Sequence, residues 1–213
     1  MNDAAVAGFL AGCLTLLAQA ASPTSPPNQT SDTERIESGE LHAGDSNAIA
    51  YRIRLLPLAS FPDLPAPVAA ELSRRQCMIP QSFEAKQPEN VIHGAFRSPS
   101  SSDWAALCSA AGSTTLFVFF AGEFDSPVSL RSQPDSAWLG REPGSSVFGS
   151  SWGIAVRSLS EIRSSPQLRH AAPVDHDAID DARLERSATI HYYNAGRWLI
   201  LHSGDAGDQG VSP

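Results

Sequence analysis

Between Tyr51 and Ser203, short apolar runs alternate with clusters of Gly, Pro, Ser and Asn, and that alternation most constrains the fold. Runs this short, broken this often, describe a β-rich domain. The stretch of about 150 residues is ample for one hydrophobic core. Tyr51-Arg52-Ile53-Arg54-Leu55 alternates with period two and predicts a first strand. Phe61 to Pro67 is too rich in proline for regular structure, but Pro67 suits the first turn of a helix over Val68–Gln76. Val68, Leu72 and Arg75 share one side of that helix, and Pro80 prevents its continuation.

Downstream, Asn90–Phe96 predicts a strand, Ser98–Ser102 a turn, and Asp103–Cys108 an antiparallel return. Thr114–Phe120 is the most hydrophobic run, which predicts a central strand covered on both faces. These three form a meander. Val128-Ser129-Leu130 is the one strand-like piece of 122–150, and Trp152–Leu159 predicts a further strand. The polar stretch Ser160–Ala182, with Asp175-His176-Asp177 and Asp180-Asp181, is expected to be a solvated acidic loop. In it, Asp177 or Asp180 could cap a short helix running through Glu185. Ser187–Tyr193 and Arg197–His202 predict a hairpin across a three-residue loop, Asn194-Ala195-Gly196. That loop sets Tyr192 opposite Trp198 and Ile190 opposite Ile200. The expected fold is therefore α+β: a mainly antiparallel sheet, meander plus C-terminal hairpin, with one short helix near its start.

The ends differ in composition. Residues 4–20 are uncharged and apolar, which suits the hydrophobic core of a secretory signal better than a membrane span of roughly 20 residues. Ala18-Gln19-Ala20 supplies a cleavage pattern, giving a signal peptide over 1–20 and a mature start at Ala21. The n-region, Met1-Asn2-Asp3, lacks the usual positive charge. Leu10-Ala11-Gly12-Cys13 offers a lipid-anchored start at Cys13 as the alternative, and an uncleaved anchor is a third. Residues 21–48 are rich in Ser, Pro and acids and are expected to form a disordered tether. The globular domain is expected over 49–205, with a frayed tail at 206–213. Half of the net charge of −8 lies in the tether, so the domain itself is too nearly neutral to suggest nucleic acid as a partner.

Of three cysteines, Cys77 and Cys108 fall in the domain, an even pair that in an exported protein favours a disulfide over two buried thiols.

Candidate chemistry is sparse. Ser150 or Ser151, in Gly149-Ser150-Ser151-Trp152-Gly153, imitates a nucleophile elbow but lacks the Gly-x-Ser-x-Gly spacing. The acids at 175–181 are hard oxygen ligands, yet Ile179 occupies the position a third calcium ligand would need. In the expected hairpin His191 and His202 project to opposite faces and do not converge. Trp104, Trp138, Trp152, Tyr192, Tyr193 and Trp198 read as core, with Trp138 in an irregular stretch the one placed to line a groove.

The segments Cys77-Met78-Ile79-Pro80-Gln81, Asn90-Val91-Ile92-His93-Gly94-Ala95-Phe96, Asp103-Trp104-Ala105-Ala106-Leu107-Cys108-Ser109 and Tyr192-Tyr193-Asn194-Ala195-Gly196-Arg197-Trp198 resemble those of a group of exported bacterial proteins with no known activity. The resemblance spans roughly 60–205 in outline, implies one coherent domain and carries no function. The expectation is a non-catalytic secreted, periplasmic or cell-envelope binding module without a cofactor or metal, its partner an envelope protein or glycan. An unrecognised envelope hydrolase is the alternative, and a lipid-anchored envelope protein held by Cys13 is another.

Overall fold

The computed structural model describes residues 33–42, 48–165, 168, 174–184 and 187–202. The expected signal with Cys13 and Ala21, most of the acidic segment and the tail lie outside them.

The chain begins with β1 (Arg35–Leu41) and β2 (Ile49–Leu56), followed by helix α1 (Ala66–Arg74) and β3 (Ile79–Gln81). A meander follows: β4 (Val91–Gly94), β5 (Asp103–Ala110), β6 (Ser113–Phe119) and β7 (Val128–Pro134). Next come β8 (Leu139–Arg141), β9 (Phe148–Ser150) and β10 (Trp152–Arg157). Helix α2 (Leu159–Ser164) leads to β11 (Ala178–Arg183), β12 (Ser187–Asn194) and β13 (Arg197–His202). Three sheets result, ordered β4-β5-β6-β7, β10-β11-β12-β13, and β1-β2-β9-β8 with β3 also on β2. All pairings are antiparallel except the short β2–β9 contact. The fold is thus α+β and mainly antiparallel β.

Helix α1 turns Val68 and Leu72 inward, with Pro67 in its first turn. It ends in a Schellman motif: the Cys77 amide donates to Leu72 O (3.0 Å), the Gln76 amide to Ser73 O (2.8 Å), and Gln76 takes the left-handed φ of 61°. That exit carries Cys77 onto β5, where it bonds Cys108 with Cα atoms 4.9 Å apart. Closing a 31-residue separation should stabilise the fold by about 3.7 kcal/mol in the chain-entropy model. Urea unfolding with and without reductant measures it. A difference below roughly 1 kcal/mol would show that the bridge constrains little.

The core is layered. One face of β5 and β6 (Ala106, Cys108, Phe117, Phe119) packs on α1. Their other face (Ala105, Leu107, Leu116, Val118) meets Trp152, Ile154 and Ile179 of the β10–β13 sheet. The far side of that sheet, with Ile190, Tyr192 and Leu201, packs on Ile162 of α2. Covering on both faces is what the unbroken apolar run at 114–120 implied. Among the described residues no helix is long and apolar enough to cross a membrane.

Four expectations are corrected. Residues 35–41, assigned to the disordered tether, form β1, because β2 supplies a partner and the Tyr51 ring lies across Gly39. A second helix, α2, is closed by a capping box in which Ser158 and Glu161 bond each other's backbone amides. The acids at 178–183 belong to the buried strand β11, and neither Asp177 nor Asp180 caps a helix there. The terminal hairpin has a two-residue loop, Ala195-Gly196, both with positive φ as a type I′ turn requires. Tyr192 therefore faces Leu199 and Ile190 faces Leu201. This register packs both leucines on the α2 side, Leu201 buried and Leu199 half-buried, and the cost is one left-handed alanine and an exposed Ile200.

Candidate functional site

Most residues singled out for chemistry are committed to structure. Asp181 is fully buried: its Oδ1 accepts from Trp152 Nε1 (2.7 Å), and its Oδ2 meets His191 Nε2 (2.9 Å) and Arg131 Nη1 (3.2 Å). Asp180 pairs with Arg157. Asp177 accepts from the Leu159 and Ala95 amides, tying α2 to the end of β4. His191 is therefore an interior residue, and the backbone register pairs His202 with Thr189. Trp138 stacks on Trp152 with ring centres 3.7 Å apart, under Arg131. Trp104, Tyr193 and Trp198 are partly buried against the same layers.

Asp175 and His176 form a second cluster. His176 Nδ1 lies 2.6 Å from Asp175 Oδ1 and 3.2 Å from the Tyr192 hydroxyl, and the His176 and Tyr192 rings stack. The His176 imidazole holds the Asp175 carboxyl below its ordinary value, while burial pushes the Tyr192 phenol up. This cluster pins the loop before β11 to β12. Among the described residues no group of three or more His, Cys, Asp or Glu side chains is arranged to hold a metal.

The resembling segments also turn out to be structural. Asn90 knits three sheets through its amide, and the Phe96 ring packs against Gly94. Asp103 closes the β4–β5 turn by accepting from the Phe96, Arg97 and Ala121 amides and the Ser101 hydroxyl.

One Ser–His pair escaped notice in the sequence. His93 Nε2, on edge strand β4, lies 2.8 Å from the hydroxyl of Ser102 just before β5, both exposed, with the imidazole against Trp104. Among the described residues no carboxylate bonds His93, so nothing orients it as a base.

The open chemistry gathers instead on one face of the β1-β2-β9-β8 sheet. The other face is core, with Tyr51, Ile53, Leu55, Leu139 and Phe148. Period two then places Arg52 and Arg54 together on the opposite face. Register adds Ile36 and Gln81 beside Arg54, and Gly149 and then Gly140 beside Arg52. The paired glycines form a floor without side chains. A Cβ at Gly149 would sit 2.7 Å from Phe83 Cβ and 2.8 Å from Glu142 Oε1. Above this floor is a cleft of about 210 Å³, walled by Ile36 and Phe83 and lined also by Arg52, Ser82, Glu142 and Ser150, the last paired with the core-facing Leu139.

Those polar groups are unoccupied. Arg54 is neutralised by a two-point pair to Glu34 (3.0 and 3.3 Å), and the Gln81 amide is spent on Ile79 and Glu89. Arg52 and Glu142 form no ion pair with any described residue, although Glu142 leans over Gly149, the residue opposite Arg52. Ser82 and Ser150 are only 6% and 5% exposed, yet their hydroxyls bond no described residue. Ser150, weighed as a nucleophile, thus lines the cleft without a histidine beside it, whereas the Ser151 hydroxyl is held by Trp138 O at 2.6 Å. No protein family model, curated protein or solved structure matches this chain.

Proposed function

We propose that the chain is an exported binding module without catalytic chemistry of its own, acting in the periplasm, at the cell envelope or outside the cell, in keeping with the exported bacterial group it resembles. The cleft beside Arg52 carries this reading. Its lining holds one cation, Arg52, and one anion, Glu142, that form no ion pair with a described residue, beside strands whose reverse face is packed core. Charged side chains of both signs lining one cleft, without each other as partners, are what a ligand site provides. The Cys77–Cys108 bridge supports an oxidising compartment. The signal peptide over 1–20, with its start at Ala21 or a lipidated Cys13, belongs to the same proposal.

The rival reading, an envelope hydrolase, rests on the exposed Ser102–His93 pair. Native mass spectrometry of the chain with the small-molecule fraction of an envelope extract separates the two. We expect bound species that leave with unchanged mass and are lost in Arg52→Ala. Turnover of those molecules that Ser102→Ala abolishes would overturn the binding-module reading, and so would the absence of any bound species. Intact mass of the exported protein reads the mature start directly.

A further inference from the structure

Resting on that reading, we infer that the cleft takes an α-amino-acid zwitterion of small size with an apolar side chain. The central observation is a pair of opposite charges that line one cleft and do not neutralise each other. Arg52 and Glu142 reach it from the same sheet face, separated by Gly149 alone. Arg52 is exposed and Glu142 half-buried, and neither forms an ion pair with a described residue. Here the other arginine of the cleft is the one that is paired, through Glu34, so a single cation and a single anion remain.

Ligand classes can be sorted against this set. A phosphate or a dicarboxylate would satisfy Arg52 and meet repulsion from Glu142. A neutral sugar would leave both charges without a counterpart and forgo the charge-assisted hydrogen bonds they offer. A zwitterion answers both. Its carboxylate takes the planar guanidinium of Arg52 by two parallel hydrogen bonds, and its ammonium takes the Glu142 carboxylate. Phe83 and Ile36 then present an apolar wall to a side chain; Ile36 is 49% exposed, one of two large aliphatic side chains so open among the described residues. The volume of about 210 Å³ lies below the range of roughly 300–1,000 Å³ typical of drug-sized ligands, which suits one amino acid.

Isothermal titration of the full oxidised chain tests this with L-leucine, N-acetyl-leucine, leucinamide, glucose and glucuronate. We expect leucine to bind, and N-acetyl-leucine and leucinamide each to bind at least about tenfold more weakly, as losing one charged contact worth about 1.4 kcal/mol or more requires. Arg52→Ala should abolish leucine binding. Glu142→Gln should erase the preference for leucine over N-acetyl-leucine while leaving the melting temperature unchanged, a split that misfolding would not produce. Arg52-dependent binding of glucuronate or glucose in place of leucine would overturn the zwitterion and leave the binding module standing. Failure of all five probes would also overturn it, and the mass-spectrometric test then decides the binding module independently.

Discussion

Replacing Asp181 with alanine is expected to destabilise the chain by about 3–5 kcal/mol, the range for removing one partner from a buried charged network. The carboxylate has no solvent exposure and satisfies three groups from three strands: Trp152 Nε1 on β10, His191 Nε2 on β12 and Arg131 Nη1 on β7. Alanine leaves the indole and imidazole N–H groups without acceptors inside the layer between the two meanders. It also leaves the arginine, held over Trp138, without its counter-charge. Asp181→Asn keeps an acceptor for one neighbour and removes the charge, so its loss should be intermediate. Urea midpoints of the three proteins at neutral pH measure the series. A loss below about 1 kcal/mol for the alanine variant would mean that the network contributes little beyond its packing.

The second large effect is expected at Asn90. Its side-chain nitrogen donates to Pro80 O (2.7 Å) and Trp152 O (3.2 Å), its oxygen accepts from the Ile154 amide (3.0 Å), and its own carbonyl accepts from the Leu107 amide. One residue thereby joins β3, β5 and β10, one strand from each sheet. It is buried and sits at φ 71°, a conformation asparagine tolerates better than most residues. Asn90→Ala loses three buried hydrogen bonds and keeps the unfavourable backbone, so we expect a loss of about 3–5 kcal/mol. Asn90→Gly loses the same bonds without the backbone strain and should recover roughly 1 kcal/mol of that. Thermal unfolding of both variants separates the contributions. Equal losses in the two would show that backbone conformation plays no part.

These two residues also mark where the sequence ceased to be legible. Elements made by local pattern could be read: α1 from its proline and its i, i+4 apolar pair, β5 and β6 from continuous apolar runs, Cys77–Cys108 from parity and compartment. Helix α2 was missed although a local signal existed: Ser158-Leu159-Ser160-Glu161 has capping-box spacing and is followed by Ile162. Strand β11 was not legible. Asp180 and Asp181 look solvated because the groups that bury them, Arg157, Arg131, Trp152 and His191, come from other strands. The hairpin misled for a related reason. The three-residue loop gave the more consistent faces locally, and the register was decided instead by contacts of Leu199 and Leu201 with the α2 layer. The cleft depends on register alone: Arg52, Gly149 and Gly140 are far apart in the chain and become neighbours only when β2, β9 and β8 pair.

The strand β1 gives the cleft a property of its own. It is an edge strand that pairs, among the described strands, with β2 only, and its Ile36 is part of the cleft wall. Detachment of β1 removes that wall and the Glu34 carboxylate that occupies Arg54, exposing a second guanidinium to whatever the cleft holds. Docking of the strand and occupancy of the cleft are then two sides of one coupled equilibrium, and whichever is stabilised first stabilises the other by the same free energy. A load applied through the segment preceding β1 would be felt as weakened affinity at the cleft.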